Sequence, residues 1–329
     1  MLLRLGRWNL LVKQATAMNN RSLGIVLLSL ALWVLPIVGS GQDVDRSSRV
    51  ILVSGATGTQ GGAVARELVS RGYTVRGLTR SPDSEASMAL SALGVQMVRG
   101  NFDDPASLDT ALEGAYGTFS VQQYRGIGVE GEISQSKAFA DAAKRASIEH
   151  FVYTSVLYAR LGTGVPQFES KREIEDYVRS LDIPYSIVRP SGFMSNLEGV
   201  REAANRGIYR TPFPPEFAPY FIAPADIGRF VAAAFDHPNE WIGRELDIAG
   251  EQISYADLAA TISRQLGRPV VYEQIPWEEY TATATPVAIS RETWYLQNPV
   301  VVDMDGLHRE FPWLVSVEDY LINAGWSEQ

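Results

Sequence analysis

Three features of the sequence predict an α/β fold, in which a doubly wound parallel sheet of the Rossmann type precedes a smaller C-terminal α/β lobe. Short apolar, β-branched runs alternate with longer amphipathic stretches from Val50 onward, which is the pattern of βαβ units. A glycine-rich loop follows the first run directly, and the rhythm loosens after Pro190. We expect a signal-like or anchor segment, a Rossmann-type domain and a C-terminal lobe at residues 1–48, 49–190 and 191–329.

Apolar periodicity and helix-end residues predict the elements of the first domain in order. Gly72 ends the first helix in a C-cap arrangement, and Pro105 opens the third after two aspartates. The predicted strands are 50–53, 73–79, 95–98, 116–121, 151–154 and 185–188. The predicted helices between them are 60–70, 84–93, 104–112, 130–145 and 171–181. Six strands in this order indicate a doubly wound sheet.

The C-terminal lobe begins less regularly. Its proline-rich stretch 211–219 predicts a surface loop. A capping box at Ser254 opens a helix that ends at Leu266, before Gly267. The other elements expected in this lobe are a helix at 226–235 and strands at 245–248 and 270–274.

The composition excludes several kinds of partner. The 329 residues carry a formal net charge of -9, so the chain lacks the basic footprint of a nucleic-acid-binding protein. The chain has no cysteine, which removes disulfides and thiolate chemistry, and its three histidines show no metal-ligand spacing. We expect no nucleic-acid partner and no bound metal.

The N-terminal segment has the shape of a signal peptide. It contains no acidic residue up to Gln42, and basic residues precede an apolar run at 23–38. This run is short for a membrane span of about 20 residues, so a cleaved signal is favoured over a permanent anchor. A start at Met18 would leave a shorter signal in which Arg21 precedes the apolar run, while a transit peptide and a misassigned start are the alternatives. We expect export or membrane attachment through this segment alone, or a cytoplasmic protein if the start is misassigned.

The glycine-rich loop predicts a dinucleotide site. Gly55, Gly58 and Gly61 follow a strand and open a helix, so the backbone can approach a pyrophosphate at the helix N-terminus. A glycine-rich turn without a ligand is the alternative, but the βαβ units that follow favour cofactor binding. An acid that binds the ribose of NAD usually ends the second strand, whereas this chain has Arg80 there. A guanidinium suits a 2′-phosphate, so NADP(H) is favoured over NAD(H), unless Arg80 is a solvated loop residue.

Several segments together resemble the NmrA-like family of atypical short-chain dehydrogenases. They are VSGATGTQGG at 53–62, LTRSP at 78–82, GNFDDP at 100–105, SK at 170–171, IVRPSGFMSN at 187–196, ADIG at 225–228 and GRP at 267–269. The resemblance implies an NADP-preferring Rossmann domain with a C-terminal substrate lobe. It also implies one of two activities, since the family contains reductases of quinones and other small aromatic compounds as well as regulators that sense NADPH without catalysis.

The resemblance also implies which residues bind the cofactor. The pyrophosphate would be held by Gly55, Thr57, Gly58, Thr59, Gln60 and Gly61. The 2′-phosphate would bind Arg80, the adenine Asn101 and Phe102, the ribose Val121 and Gln122, and the nicotinamide riboside Lys171, Pro190 and Phe193. Asn101 stands where the family often has an aspartate, which weakens the adenine assignment.

The catalytic residues are harder to assign. Ordinary short-chain dehydrogenases use a serine and a Tyr-x-x-x-Lys pair, and this chain offers Ser155 and Lys171 but has Gln167 at the tyrosine position. Lys171 and Ser155 could still stabilise a developing oxyanion, or Lys171 could only bind the cofactor and Ser155 only cap a strand. The residues expected to contact a substrate are Tyr158, Phe168, Phe193, Met194 and Asn196, with core packing as the alternative for the apolar ones.

Two functions follow from these residues. The favoured one is an NADPH-dependent reductase, lacking the usual tyrosine, whose substrate is a small, apolar aromatic or quinonoid compound. The alternative is a non-catalytic NADP(H) sensor that acts through a protein partner. A homodimer is the assembly that we consider for either function.

Overall fold

The computed structural model describes residues 45–326 of the chain. Residues 1–44 of the predicted signal-like segment therefore lie outside the described part, and Arg46–Ser48 form a short 3-10 turn before the first strand. Within residues 45–326, no helix is both long and apolar enough to span a bilayer.

The strands and helices follow the predicted α/β alternation. The strands are β1 (Val50–Val53), β2 (Thr74–Thr79), β3 (Gln96–Arg99), β4 (Gly117–Ser120), β5 (His150–Thr154), β6 (Tyr185–Pro190), β7 (Gly192–Phe193), β8 (Ile208–Thr211), β9 (Tyr220–Ile222), β10 (Glu245–Ile248), β11 (Glu251–Gln252) and β12 (Val271–Gln274). The helices are α1 (Thr59–Ser70), α2 (Glu85–Ser91), α3 (Pro105–Leu112), α4 (Gly128–Arg145), α5 (Pro166–Ser180), α6 (Arg201–Asn205), α7 (Pro224–Asp236), α8 (Pro238–Trp241), α9 (Tyr255–Leu266), α10 (Trp277–Thr283), α11 (Pro286–Gln297), α12 (Met304–Glu310) and α13 (Val317–Asn323).

The central sheet is parallel and doubly wound, which confirms the predicted fold class. Its seven strands stand in the order β10-β6-β5-β4-β1-β2-β3. The chain moves outward in opposite directions from β1, so the order reverses between β1 and β4. In such sheets, the crevice at the carboxyl ends of the strands on either side of this reversal is the usual ligand site.

The two faces of the sheet carry separate cores. In β1, Ile51 and Val53 pack in a cluster with α1 and α7, while Leu52 packs in a second cluster with α3, α4 and α5. Successive side chains of a strand point to opposite faces, and both faces here are covered by helices. This explains why the strand reads as a continuous apolar run rather than an alternating one.

Two differences from the sequence prediction exceed the shifts of one or two residues seen at other element ends. Helix α5 begins at Pro166 instead of residue 171, because proline is well suited to the first turn of a helix. This places Gln167 and Phe168 in the first turn of the helix that carries Lys171. Strand β10, which we had assigned to the C-terminal lobe, pairs in parallel with β6 and forms an edge of the central sheet.

The rest of the C-terminal region has its own small sheets and core. Strands β11, β9 and β7 form one sheet, and β12 pairs with β8 in another. A third apolar cluster, which includes Leu258, Ile262 and Trp326, packs beneath them. The predicted loop at 211–219 separates β8 from β9, as expected, whereas helices α10 to α13 were not predicted.

Candidate functional site

A cavity of about 1060 Å³ lies at the carboxyl ends of the central strands. The segments that follow β1 to β6 all contribute to its wall, and helix α11 contributes from the C-terminal region. Every residue that the sequence analysis linked to cofactor or catalysis lines this one cavity. They are Gly55, Thr57, Gly58, Thr59, Gln60, Gly61, Arg80, Asn101, Phe102, Val121, Gln122, Ser155, Lys171, Pro190 and Phe193.

The glycine loop is shaped so that side chains are excluded from it. Gly55 has φ of +57°, a conformation that side chains rarely adopt. A Cβ on Gly61 would lie 2.2 Å from the Gly55 carbonyl oxygen, so this position accepts only glycine without a backbone shift. Gly58 begins α1 without any side-chain cap among residues 45–326, and the first N–H groups of the helix therefore remain available to a ligand.

This cradle fits the diphosphate of a nicotinamide dinucleotide. The free N–H groups and the positive end of the α1 dipole face the cavity at the point where the sheet order reverses. The turn is held in shape by the Gly58 N–H, which donates to the Gly55 carbonyl at 2.9 Å. Gln60 is also fixed, because its Oε1 accepts a hydrogen bond from Thr154 Oγ1 at 2.8 Å.

Arg80 follows β2 at one end of the cavity. Its side chain is exposed, and its guanidinium makes no ion pair or hydrogen bond with any other residue in the range 45–326. The neighbouring strand supports its backbone, since Arg99 Nη1 donates to the Arg80 carbonyl at 2.8 Å. The nearest acid along the chain, Asp83, is 97% exposed and lies 3.8 Å from Arg99 instead. Arg80 is thus a cation free to bind an anionic group.

Asn101 and Phe102 follow β3 in the same part of the cavity. Asn101 Oδ1 accepts a hydrogen bond from the Asp103 N–H at 3.2 Å, which leaves its amide nitrogen free. The Phe102 ring stands edge-on to Phe139, with 5.6 Å between ring centroids. Both side chains are thereby held in position at the cavity wall, as a flat base would require.

Lys171 lies at the other end, which we call the inner end, and forms the centre of a buried polar group. Its Nζ donates to the Gln122 carbonyl at 3.0 Å and lies 3.0 Å from Glu132 Oε1. Glu132 is fully buried and also lines the cavity. This acid was not predicted from the sequence. Its place inside the amphipathic pattern of the predicted helix 130–145 is the signal that indicates a buried acid.

Five buried polar atoms at the inner end have no hydrogen-bond partner among residues 45–326. Glu132 Oε1 is one of them, although it lies at ion-pair distance from Lys171; the other four are Gln122 Nε2, Ser155 Oγ, Gln167 Oε1 and Ser191 Oγ. The residues of all five line the cavity, and each is at least 94% buried. An unpaired buried polar group typically costs about 1–3 kcal/mol. These atoms around one space are therefore suited to hydrogen bonding with a polar ligand.

An aromatic cluster stands beside these polar atoms. Tyr158, Phe168, Trp294 and Tyr295 have ring centroids 5.1–6.0 Å apart. Tyr158, Phe168 and Tyr295 also line the cavity, together with Asn196. Trp294 and Tyr295 belong to α11, and no motif in the sequence linked that helix to the site. The inner end therefore combines unpaired polar atoms with an apolar aromatic surface.

One residue that was predicted to contact a substrate lies away from the cavity. Met194 does not line the cavity, because its side chain is fully buried in the C-terminal cluster. Packing therefore accounts for Met194, and the earlier assignment to a substrate wall is corrected.

Burial raises the pKa of the Tyr158 hydroxyl, and nearby Tyr220 and Asp247 raise it further, so Tyr158 stays protonated at neutral pH and is a weak acid.

The charged groups at the inner end are internally paired. Arg291 of α11 faces the cavity and makes two hydrogen bonds to Glu292, at 2.9 and 2.6 Å. Lys171 is paired with Glu132. Among residues 45–326 there is no cluster of His, Cys, Asp or Glu that could hold a metal ion. Lys171 and Arg291 are thus each compensated by a neighbouring glutamate.

Comparison with known proteins identifies the family. A sequence profile described as the NmrA-like family matches residues 47–298. A Streptomyces griseus (4-alkanoyl-5-oxo-2,5-dihydrofuran-3-yl)methyl phosphate reductase is 32% identical over 69% of this chain and 77% of its own length. An NAD(P)H azoreductase of Xenophilus azovorans is 30% identical over 70% of this chain and 78% of its own. A crystal structure of NmrA, a negative transcriptional regulator, in complex with NADP has a TM-score of 0.69 at 25% identity and covers 83% of this chain and 94% of its own. The chain belongs to the NmrA-like family.

Proposed function

We propose that this protein binds NADP(H) and reduces a small, apolar aromatic or quinonoid compound. The observation that carries the proposal is the single cavity that has a dinucleotide cradle at one end and aromatic rings with unpaired polar atoms at the other. Two relatives of similar length, named as reductases, act on small molecules according to their names. Family membership supports a nicotinamide dinucleotide as the cofactor.

The choice of NADP(H) over NAD(H) rests on Arg80. A guanidinium can bind a phosphate with two parallel hydrogen bonds, and its charge is uncompensated in this structure by any residue of the described part. Its position after β2 is where an NAD site usually has an acid. Of the NmrA structures that resemble this chain, one contains NADP and another contains NAD, so the preference rests on Arg80.

The residues at the inner end suit a substrate that needs no proton from a strong acid. Bound NADPH would supply a hydride. Gln167 occupies the position of the usual tyrosine and can donate a hydrogen bond, but it has no titratable proton. The unpaired hydroxyls of Ser155 and Ser191 can donate to a carbonyl oxygen and stabilise negative charge that develops on it. Quinones and related conjugated acceptors form stabilised anions, so they fit these groups better than simple ketones.

The test is oxidation of NADPH across a panel of quinones, azo dyes and simple ketones. We expect turnover with quinones or dyes and none with ketones. Lys171→Met should lose at least tenfold in kcat/KM, because a charged hydrogen-bond donor contributes about 1.5–3 kcal/mol. Lys144→Met is the matched control, since Lys144 is exposed at the end of α4 and should leave the rate unchanged. No turnover on the whole panel would reject the proposal.

A second candidate is a sensor of the NADP(H) redox state that acts through a protein partner. The glutamine at the tyrosine position favours it, as does the similarity to NmrA, a regulator crystallised with NADP. A sensor must adopt different states with NADP+ and NADPH. Hydrogen exchange across α11 should then differ between the two complexes, whereas a reductase without a sensing role should show the same exchange with both.

We also propose that the N-terminal segment directs export or membrane attachment, with a cytoplasmic protein whose start is misassigned as the alternative. The proposal rests on the basic, acid-free segment and its apolar run at 23–38. Identification of the N-terminal peptide of the natural protein is the test. A mature protein that starts near residue 42 is expected, and one that retains residues 1–41 would reject a cleaved signal.

A further inference from the structure

Glu132 is a buried carboxylate at the inner end of the cavity that the proposed reaction does not use. Its side chain is 0% exposed, although it lies on a helix with many exposed residues. Its Oε2 accepts a hydrogen bond of 2.6 Å from Ser170 Oγ, and its Oε1 lies 3.0 Å from Lys171 Nζ. Burying a carboxylate costs several kcal/mol unless it is paired, so the contact with Lys171 accounts for this acid at this place.

The two contacts that hold the Lys171 ammonium come from separate elements. Lys171 itself is on α5, Glu132 is on α4, and the Gln122 carbonyl follows β4. Glu132 Oε1 is at ion-pair distance from Nζ without being aligned for a hydrogen bond in the described part of the chain, so this oxygen keeps an unused acceptor site. The ammonium is thus fixed from two sides before any ligand binds.

We propose that Glu132 is a positioning residue, which holds the Lys171 ammonium in place where the nicotinamide riboside binds. This inference rests on the proposed function, because it assumes a dinucleotide in the cavity. Lys171 contacts the ligand and Glu132 acts through it.

Few other charged or titratable groups face Lys171. The ring of Tyr153 on β5 lies 5.5 Å from Nζ, and Tyr153 is uncharged at neutral pH because burial raises the pKa of its hydroxyl. Glu175, one turn further along α5, is bound by Arg189 through two hydrogen bonds. Glu132 is therefore the carboxylate that compensates the charge of Lys171.

Removing this charge while keeping the shape has a specific consequence. In Glu132→Gln the ammonium would be buried without a counter-ion and would lose its contact with α4. NADPH affinity should then fall, and it should fall only in a protein that carries Lys171. A merely structural role for Glu132 would lower stability or affinity whether or not Lys171 is present.

The experiment is a double-mutant cycle of NADPH dissociation constants, measured by fluorescence for Glu132→Gln, Lys171→Met and the double variant, with kcat and KM on an accepted quinone as a second readout. We expect Glu132→Gln to lose about threefold to tenfold in affinity, and the double variant to bind NADPH as Lys171→Met alone does. Glu132→Asp keeps the charge and should restore part of the lost affinity. Glu130→Gln is the matched control, because Glu130 is exposed on the same helix.

The outcomes separate this inference from the proposed function. If wild-type protein does not bind NADPH, the proposed function fails. If it binds NADPH but Glu132→Gln keeps the wild-type affinity, or loses as much affinity with Lys171→Met as without it, the positioning role is overturned and the proposed function stands. Should Glu132→Gln not fold, Ser170→Ala removes the donor that anchors Oε2 and should lower the affinity by a smaller amount, again only when Lys171 is present; an unchanged affinity there overturns the inference.

Discussion

At one end of the cavity, which we call the glycine-loop end, the backbone of seven consecutive residues, 55–61, forms the wall. At the inner end, side chains from separate segments come together. The glycine loop owes its shape to a positive φ and to close contacts that exclude a Cβ. The inner end joins Glu132 of α4, Lys171 of α5 and Tyr295 of α11. Binding at the glycine loop should therefore be sensitive to any added side-chain atom. Binding at the inner end should be sensitive to the loss of particular side chains.

This difference predicts that substitutions at the two ends have different effects on binding. Changes in the glycine loop should weaken cofactor binding whatever the substrate. Changes in the aromatic cluster should alter the use of one substrate relative to another and leave cofactor binding intact. The variants below test this division in decreasing order of the effect expected on the site.

The largest effect is expected from Gly61→Ala. The new Cβ would lie 2.2 Å from one backbone oxygen and 2.7 Å from another, so the loop must move. We expect NADPH affinity to fall by more than 100-fold, with a loss of about 1–3 kcal/mol in the free energy of unfolding. Calorimetry and chemical denaturation measure the two. Gly199→Ala is the control, since no atom lies within 4 Å of its Cβ position, and wild-type affinity in Gly61→Ala would show that the loop does not bind the diphosphate.

Arg80→Gln should have the next largest effect. Losing a charged hydrogen-bond donor to the 2′-phosphate should weaken NADPH binding about 10- to 100-fold. The affinity for NADH serves as the internal control, because NADH lacks this phosphate and should bind with unchanged affinity. Equal losses for both cofactors would mean that Arg80 does not distinguish them.

Tyr295→Leu should change the substrate end alone. The ring packs against Tyr158 and Phe168, and each aromatic pair contributes about 0.5–1.5 kcal/mol. We expect KM for an aromatic acceptor to rise about tenfold while the NADPH dissociation constant stays constant. Trp277→Leu, on the preceding helix and outside the cavity lining, is the control. A loss of NADPH affinity in Tyr295→Leu would contradict the division between the two ends.

The smallest effect on the site, and a distinct one on stability, is expected at His150. Burial lowers the pKa of this histidine to about 4, and its Nε2 lies 2.7 Å from Ser186 Oγ. The unfolded chain takes up this proton near pH 6.5, so the stability should fall as the pH falls from 6.5 to 4. The melting temperature of His150→Gln should decline less over this range than that of the wild type. His237→Gln, at an exposed position, should follow the wild type, and parallel curves for all three would contradict the prediction.

The residues of the glycine-loop end could be located from the sequence because they are local. Gly55 to Gly61 are contiguous, and Arg80, Asn101 and Phe102 follow strands that periodicity locates; all of them line the cavity. The inner end could be located only in part. Ser155 and Lys171 were chosen by comparison with ordinary short-chain dehydrogenases. Glu132 interrupts an amphipathic pattern, but no pattern or motif shows that helix packing brings Glu132 and Tyr295 to the cavity.

Met194 was assigned to the site from the sequence but does not belong to it. It lies beside Phe193, which lines the cavity, yet its own side chain points into the C-terminal core. A short strand ends at Phe193 and a 3-10 turn begins at Met194, so neighbouring side chains point in different directions. Sequence proximity to a motif was therefore insufficient to assign this residue to the site.

The central claim is that the two ends of the cavity act together, so that a cofactor held at one end reduces an aromatic ligand at the other. The most direct measurement is single-turnover oxidation of protein-bound NADPH by a naphthoquinone, with deuterium on either face of nicotinamide C4. We predict a primary isotope effect with deuterium on one face only, because a fixed site presents one face to the acceptor. Oxidation without an isotope effect for either label, or at an unchanged rate in Gly61→Ala, would contradict the claim.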